Sequence, residues 1–384
     1  MPFDAPPSAI NALLSHFLTA LWEAPQDAAL IPPLMIWGPP GVGKSAIVRQ
    51  VAKRLGIGLV DIRLAQREPV DMRGLPVPDV DGASVRWLVA SEWPRDPCSQ
   101  GIIFFDELTA ADRTLQAAAY EMILDRRLGD LYRVPEGWYI AAAGNGATDR
   151  AVSTPMSSAL ANRFCHVTMG VDAQTWLKWG RAAGLHPTVL GFIAWRPNLL
   201  FELGAECQHG WPSPRSWERV SYVLQLADRT GQSGALDFLN LQVAGLIGKA
   251  AAIEFLAFRQ QSLTGPSAED ILLGGVEAVI PLRADQRFAL ASALAHVMRS
   301  QGPEVARLWS RFLNVTHMMT SDFAAMAVSE VLEGQTVDQL EILMSSPAMA
   351  RWSLRHGPAL ALRRVADDPF DLQLDIDALI AQTA

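Results

Sequence analysis

The sequence predicts an α/β fold, a five-stranded parallel sheet sandwiched between helices, followed by a helical unit and a further mostly helical region. Three observations predict it. Apolar runs of strand length alternate with helically periodic segments through roughly the first 170 residues. The first of these runs ends in a glycine-rich turn that opens a helix. From about Asp172 onward, strand signals nearly vanish and helical patterns take over.

Taken in order, Ser8 to Trp22 carries Ile10, Leu13, Leu14, Phe17 and Leu21 at helical spacing, so it reads as an amphipathic helix. Leu34-Met35-Ile36-Trp37 is the first strand, and Ser45 to Leu55 the helix after the glycine-rich turn. Gly58 to Leu64 reads as the second strand. Ile102-Ile103-Phe104-Phe105 has no polar alternation at all, the pattern of a strand covered on both faces. Tyr139 to Ala143 repeats that pattern, and Cys165 to Met169 supplies a fifth strand. Two stretches break the rhythm: Val77 to Val89, with Asp81-Gly82 between β-prone residues, and Arg127 to Trp138, with Gly129-Asp130; both read as hairpins. Gly234 to Phe258 is strongly apolar, but Asp237, Asn240, Gln242, Lys249 and Glu254 interrupt it. It reads as a buried helix and not a membrane span. Leu290, Leu294 and Val297 mark another helix, and the alternating Phe370 to Ile376 suggests an extended acidic segment. The organisation expected is an α/β unit with its N-terminal helix over 1–170, a helical unit over 171–264 and a further helical region over 265–384.

Composition narrows the function. With 384 residues, half of them hydrophobic, and twelve Trp, the chain has material for more than one core. A formal net charge of −8 argues against the basic surface that non-specific nucleic-acid binding needs. Lysine occurs only at positions 44, 53, 178 and 249, so arginine carries most of the positive charge and no arginine is notable by identity alone. Cys98, Cys165 and Cys207 have neither disulfide nor zinc spacing. No basic segment followed by an apolar core opens the chain, and a cytoplasmic protein without membrane insertion is expected.

The chemistry concentrates at Gly38-Pro39-Pro40-Gly41-Val42-Gly43-Lys44-Ser45, with Ala46 next in the helix. This is the P-loop pattern, placed between a buried strand and a helix. Glycines let consecutive backbone N–H groups turn inward toward phosphate oxygens, and the helix N-terminus adds partial positive charge. Lys44 can reach the β- and γ-phosphates, and the Ser45 hydroxyl can ligate Mg²⁺. Asp106 and Glu107 end a buried strand, where one carboxylate suits the magnesium shell and its neighbour a general base. The same pair would also serve as an ordinary acidic helix start. Asn145, after the Tyr139 to Ala143 strand, can orient water without adding charge, or form a plain Asn-Gly turn. Arg163 precedes the last strand. Arg215 follows Ser213 and Pro214, a good cap and first helical residue, and so puts a cation at the unfavourable end of a helix dipole. A nearby anion would explain it.

In this order the residues resemble the AAA+ ATPases, more narrowly the MoxR-like group of the clade with an insertion in its second helix. The resemblance runs from about Pro33 to Val223. It implies that residues 38–45 are Walker A, Asp106 and Glu107 Walker B, and Asn145 the first sensor. Arg163 would be the arginine finger serving a neighbouring subunit, with Arg150 a competitor, and Arg215 the second sensor. Gln66 and Asp71 to Pro76 also match this group after its second strand, and the hairpins would face a pore or partner.

The function implied is Mg-dependent ATP hydrolysis at the interfaces of a ring, expected to be a hexamer. Such a ring remodels or activates a protein partner, which in this family often carries a von Willebrand factor A domain. A nucleic-acid-directed motor and a nucleotide-gated scaffold remain as alternatives. The net charge disfavours the first and Glu107 the second.

Overall fold

In a computed structural model the chain is described at residues 4–80, 84–146, 149, 153–203, 209–231, 236–263, 267–300, 305–333, 335–336, 340 and 343–367. Asp81-Gly82, Arg150, Cys207 and the Phe370 to Ile376 segment lie outside these residues. The chain divides into two compact units, one made of 1–175 with 213–215, the other of 176–212 with 216–384.

The first unit is built on one parallel sheet. Its strands are β1 (Asp4–Ala5), β2 (Leu34–Trp37), β3 (Gly58–Arg63), β6 (Gly101–Asp106), β9 (Trp138–Gly144) and β10 (Cys165–Met169). Their order is β1-β10-β2-β9-β6-β3, all neighbours parallel. The expectation of five strands is therefore corrected to six. Asp4–Ala5 joins the edge through Asp4 opposite Thr168 and Ala5 opposite Met169, a two-residue pairing too short to leave a periodic signal. Every residue of β6 and β9 is buried, which is why both read as unbroken apolar runs.

Helices cover the sheet. On α1 (Pro7–Glu23), Ile10, Leu14, Leu18 and Leu21 are buried, and Phe17 stacks on Tyr139 with centroids 5.6 Å apart. Two more helices are α2 (Lys44–Leu55) and α4 (Arg113–Asp125), the latter capped by Asp112, whose carboxylate accepts from Leu115 N at 2.8 Å. The short α3 (Pro69–Arg73) leads into the antiparallel pair β4 (Leu75–Pro78) and β5 (Val85–Leu88). A second antiparallel pair, β7 (Arg127–Leu128) and β8 (Tyr132–Arg133), flanks Gly129-Asp130. Both hairpins thus form where the sequence placed them. A four-residue α5 (Ser158–Ala161) precedes β10.

The second unit is helical. Its elements include most of α6 (Ala173–Ala182), α7 (Pro187–Trp195), α8 (Pro214–Arg229) beyond Arg215, α9 (Leu236–Ile247), α10 (Lys249–Leu263) and α11 (Ala268–Leu273). They continue with α12 (Ala284–Ser300), α13 (Val305–His317), α14 (Ser321–Leu332) and α15 (Pro347–Asp367). Aromatic packing holds the early helices together: Phe192 lies 5.4 Å from Trp217 and 5.3 Å from Phe255 by centroid. The expected single buried helix over Gly234 to Phe258 is in fact two. Gly248, at φ 80°, breaks it between α9 and α10, and Phe238 and Leu241 are 73% and 72% exposed. No helix among the described residues is long and apolar enough to cross a membrane.

Candidate functional site

The loop after β2 is shaped by backbone that only glycine adopts cheaply. Gly41 and Gly43 sit at φ 88° and 109°. A Cβ on Gly41 would come within 3.0 Å of Ser213 Oγ, so strand, loop and the Ser213–Arg215 segment meet where no side chain fits. Gly43 occupies the N-cap of α2, and no side chain caps that end. The first-turn amides of Lys44, Ser45 and Ala46 therefore keep their hydrogens for an external acceptor. An uncapped helix start beside a cation is a receptor for phosphate.

Lys44 is buried among carbonyls. Its ammonium donates to the oxygen of Gly38, to that of Pro39 at 3.0 Å and to Oδ1 of Asn145 at 2.9 Å. Burial is the main reason its pKa falls from 10.5 to about 8; the Arg215 charge pushes the same way, while Asp106, Asp149 and Glu107 oppose it. Phosphate at the loop would replace the lysine's carbonyl acceptors with anionic ones and raise its pKa again.

Across the strand ends, Ser45 Oγ donates to Asp106 Oδ2 at 2.6 Å, and Asp106 Oδ1 accepts from Glu107 N at 3.0 Å. A hydroxyl and a buried carboxylate in direct contact fit Mg²⁺, which takes few protein oxygens when phosphates and water supply the rest. Glu107 stands at φ 58°, ψ 32°, a left-handed conformation that carries strain in a non-glycine residue. It is part-exposed next to the buried Asp106, so the two carboxylates have different surroundings.

Asn145 is held by a residue that sequence reasoning missed. Thr109, 1% exposed, accepts from Asn145 N at 3.0 Å and lies 3.2 Å from Asn145 O as donor. Ser153 Oγ donates to the same carbonyl at 3.1 Å. Nothing in the local sequence around Thr109 announces this, because its partner lies 36 positions away.

The structure gathers Gly38 to Ala46, Asp106, Glu107, Asn145 and Arg215 about one loop. Arg215 N lies 3.3 Å from Gly41 O as donor, and its charge reaches Lys44. Arg163 is not brought into this group. It is exposed, two residues beyond α5, and no side-chain ion pair or hydrogen bond holds it among the described residues. A second missed feature lies next to it. Trp37 Nε1 donates to His166 Nδ1 at 2.8 Å, which leaves the hydrogen of neutral His166 on Nε2, 2.7 Å from the carbonyl of Ala161 in α5.

Comparison with known proteins agrees with this geometry over its central part. Residues 34–121 match the model of the AAA family, "ATPase family associated with various cellular activities". That span includes the loop around Lys44 and the Asp106-Glu107 pair. The first unit is thus an AAA+ P-loop fold, and the chain continues into a helical region. No curated protein matches the chain. Among solved structures, a point variant of RuvB from Thermotoga maritima is similar at 16% identity and TM-score 0.37, over 68% of this chain and 80% of that one. A candidate ATPase from Cytophaga hutchinsonii is similar at 14% identity and TM-score 0.32, over 76% and 88%. NtrX from Brucella abortus is similar at 14% identity and TM-score 0.33, over 83% and 66%.

Proposed function

We propose that the protein is a MoxR-like AAA+ ATPase that hydrolyses ATP at the subunit interfaces of a ring, a hexamer by family resemblance, and uses the cycle to remodel a protein partner. The observation that carries the ATPase reading is the Lys44 cluster: an uncapped helix start, a buried ammonium and the Ser45–Asp106 contact converge on one glycine-lined bend. The bend suits a triphosphate. Lys44 exchanges Gly38 and Pro39 carbonyls for phosphate oxygens, and the amides of residues 43–46 hold the chain of phosphates in line.

Ser45 and Asp106 would hold a magnesium ion, which supplies charge neutralisation at the phosphates. Glu107 accepts the proton of the attacking water, and Asn145, fixed by Thr109 and Ser153, orients that water. Arg215 adds a cation on the same subunit. Arg163, exposed and uncommitted to its own loop, is free to enter the site of an adjoining subunit as an arginine finger. In this reading residues 171–264 act as a helical lid, and 265–384 form a separate helical region. The resemblance names a protein with a von Willebrand factor A domain as the kind of partner to seek.

The test is a pair of variants. Lys44→Ala should lose binding of Mg-ATP, while Glu107→Gln should retain it and lower turnover by about 10²–10⁴-fold, the span of a general base. Equal turnover in wild type and Glu107→Gln would remove the motor reading, and undiminished ATP affinity in Lys44→Ala would remove the P-loop assignment.

A further inference from the structure

The second unit contains a cavity of about 230 Å³ that has no part in the nucleotide site. Ser292, His296 and Arg299 line it from α12, where their spacing puts them on one helix face. Leu185 and Leu190, before and on α7, give it apolar surface, and Arg181 and Glu330 complete its charged part.

Its charges do not balance. Arg181 and Glu330 pair at 2.7 Å with side chains only 12% and 11% exposed, and Arg181 also approaches Glu333 at 3.6 Å. Those two carboxylates are therefore already engaged. Arg299 forms no ion pair among the described residues and is partly buried; it feels the like charge of Arg181, opposed by Glu330 and Glu333, the same two carboxylates that Arg181 engages. Arg363 is a third guanidinium whose charge acts on Glu330. A cation held partly out of water beside another cation is costly unless an anion joins it. Ser292 Oγ is likewise buried without a partner. His296, its pKa held below the usual imidazole value by desolvation and by the charges of His186 and Arg299, can give or take a hydrogen bond.

We infer that this cavity binds a small organic carboxylate with a branched apolar body, its carboxylate against Arg299 and its body against Leu185 and Leu190. A phosphate ion would bring more charge beside Glu330 and leave the leucine surface unused. A neutral apolar molecule would leave Arg299 as it stands. The volume suits a body of several carbons, below the usual range of drug-sized sites. The same chemistry is offered by a free acid and by the carboxy-terminal residue of a polypeptide.

Isothermal titration of the full chain tests this with 4-methylpentanoate, N-acetyl-leucine, 4-methylpentanamide and inorganic phosphate as probes. Saturable binding of 4-methylpentanoate is expected, with the amide at least about tenfold weaker because the ion pair is lost. Tighter binding of N-acetyl-leucine than of 4-methylpentanoate assigns the site to a polypeptide terminus, and the reverse order to a free acid. Arg299→Gln should weaken the acid by at least about tenfold. Ser292→Leu should fill the space and abolish binding while the thermal midpoint holds, since it removes a hydroxyl that has no partner. The inference is overturned by absence of saturable heat with both acids, by equal affinity for acid and amide, by preference for phosphate, or by wild-type affinity in either folded variant.

Discussion

Lys44 sets the pH behaviour of the site. In the unfolded chain its ammonium keeps its proton up to about 10.5, whereas in the folded protein without nucleotide it loses it near 8. Between these values the unfolded state binds more protons, so the stability of the nucleotide-free protein contributed by this group rises with pH and is lowest below 8. Triphosphate raises the lysine's pKa again. At pH 8.5 ATP binding should therefore take up protons, and affinity should fall as pH increases through and above 8. Titrations in buffers of different ionisation enthalpy measure the uptake, which should shrink towards zero below pH 7, where the lysine keeps its proton with and without nucleotide. Glu107 makes a different trade. Its left-handed backbone costs about 1–2 kcal/mol for an ordinary side chain. Asn tolerates that conformation better, so Glu107→Asn should raise stability by about 0.5–1 kcal/mol in denaturant unfolding while it abolishes turnover. A loss of stability would show that the Glu107 side chain supports the fold.

At the scale of elements, the Trp37–His166–Ala161 chain of hydrogen bonds connects the end of β2, one residue before the glycine loop, to α5, which leads to Arg163. If Arg163 acts in an adjoining site, this chain sets where it points. Trp37→Phe keeps an aromatic ring, a smaller one, and deletes the donor. Turnover should fall by about tenfold, the worth of roughly one hydrogen bond in positioning, with KM for ATP little changed. A matched rise in KM would mean that the substitution had disturbed the nucleotide loop itself. The same contrast between local and distant pattern explains what the sequence disclosed. β2, β6 and β9 were legible because burial on both faces leaves unbroken apolar runs, Asp106 and Glu107 because they end one of those runs, and Lys44 because the glycine loop that follows another leads to it. β1 was not, since two residues carry no period. The break at Gly248 hid because apolar residues continue on both sides of it. Thr109 and His166 were silent because each acts on a residue 36 or 129 positions away, and only the folded sheet makes them neighbours.

Considered as a whole, the chain crosses into the helical unit at Trp176, returns for Ser213–Arg215 and leaves again through α8. Those three residues put Arg215 and the Ser213 contact with Gly41 in the nucleotide unit, so a phosphate at the loop acts directly on the segment that begins α8. Arg163, in contrast, holds no side-chain partner among the described residues, and under the proposed function it is the cation that one copy lends to the site of another. Head-to-tail contact supplies it, because in a heterologous interface each subunit gives one surface and receives the other. Complementation between two inactive variants follows. Arg163→Ala keeps an intact Glu107 but offers no cation to its neighbour, and Glu107→Gln keeps the cation but lacks the base. In an equal random mixture, about a quarter of interfaces join a Glu107-bearing site to an Arg163-bearing neighbour and regain full function, if subunits assemble head to tail. ATPase activity of the mixture should accordingly rise to roughly that fraction of wild type, and it should depend on total protein concentration as assembly does. Activity no greater than the two variants assayed apart would mean that Arg163 does not complete a neighbour's site.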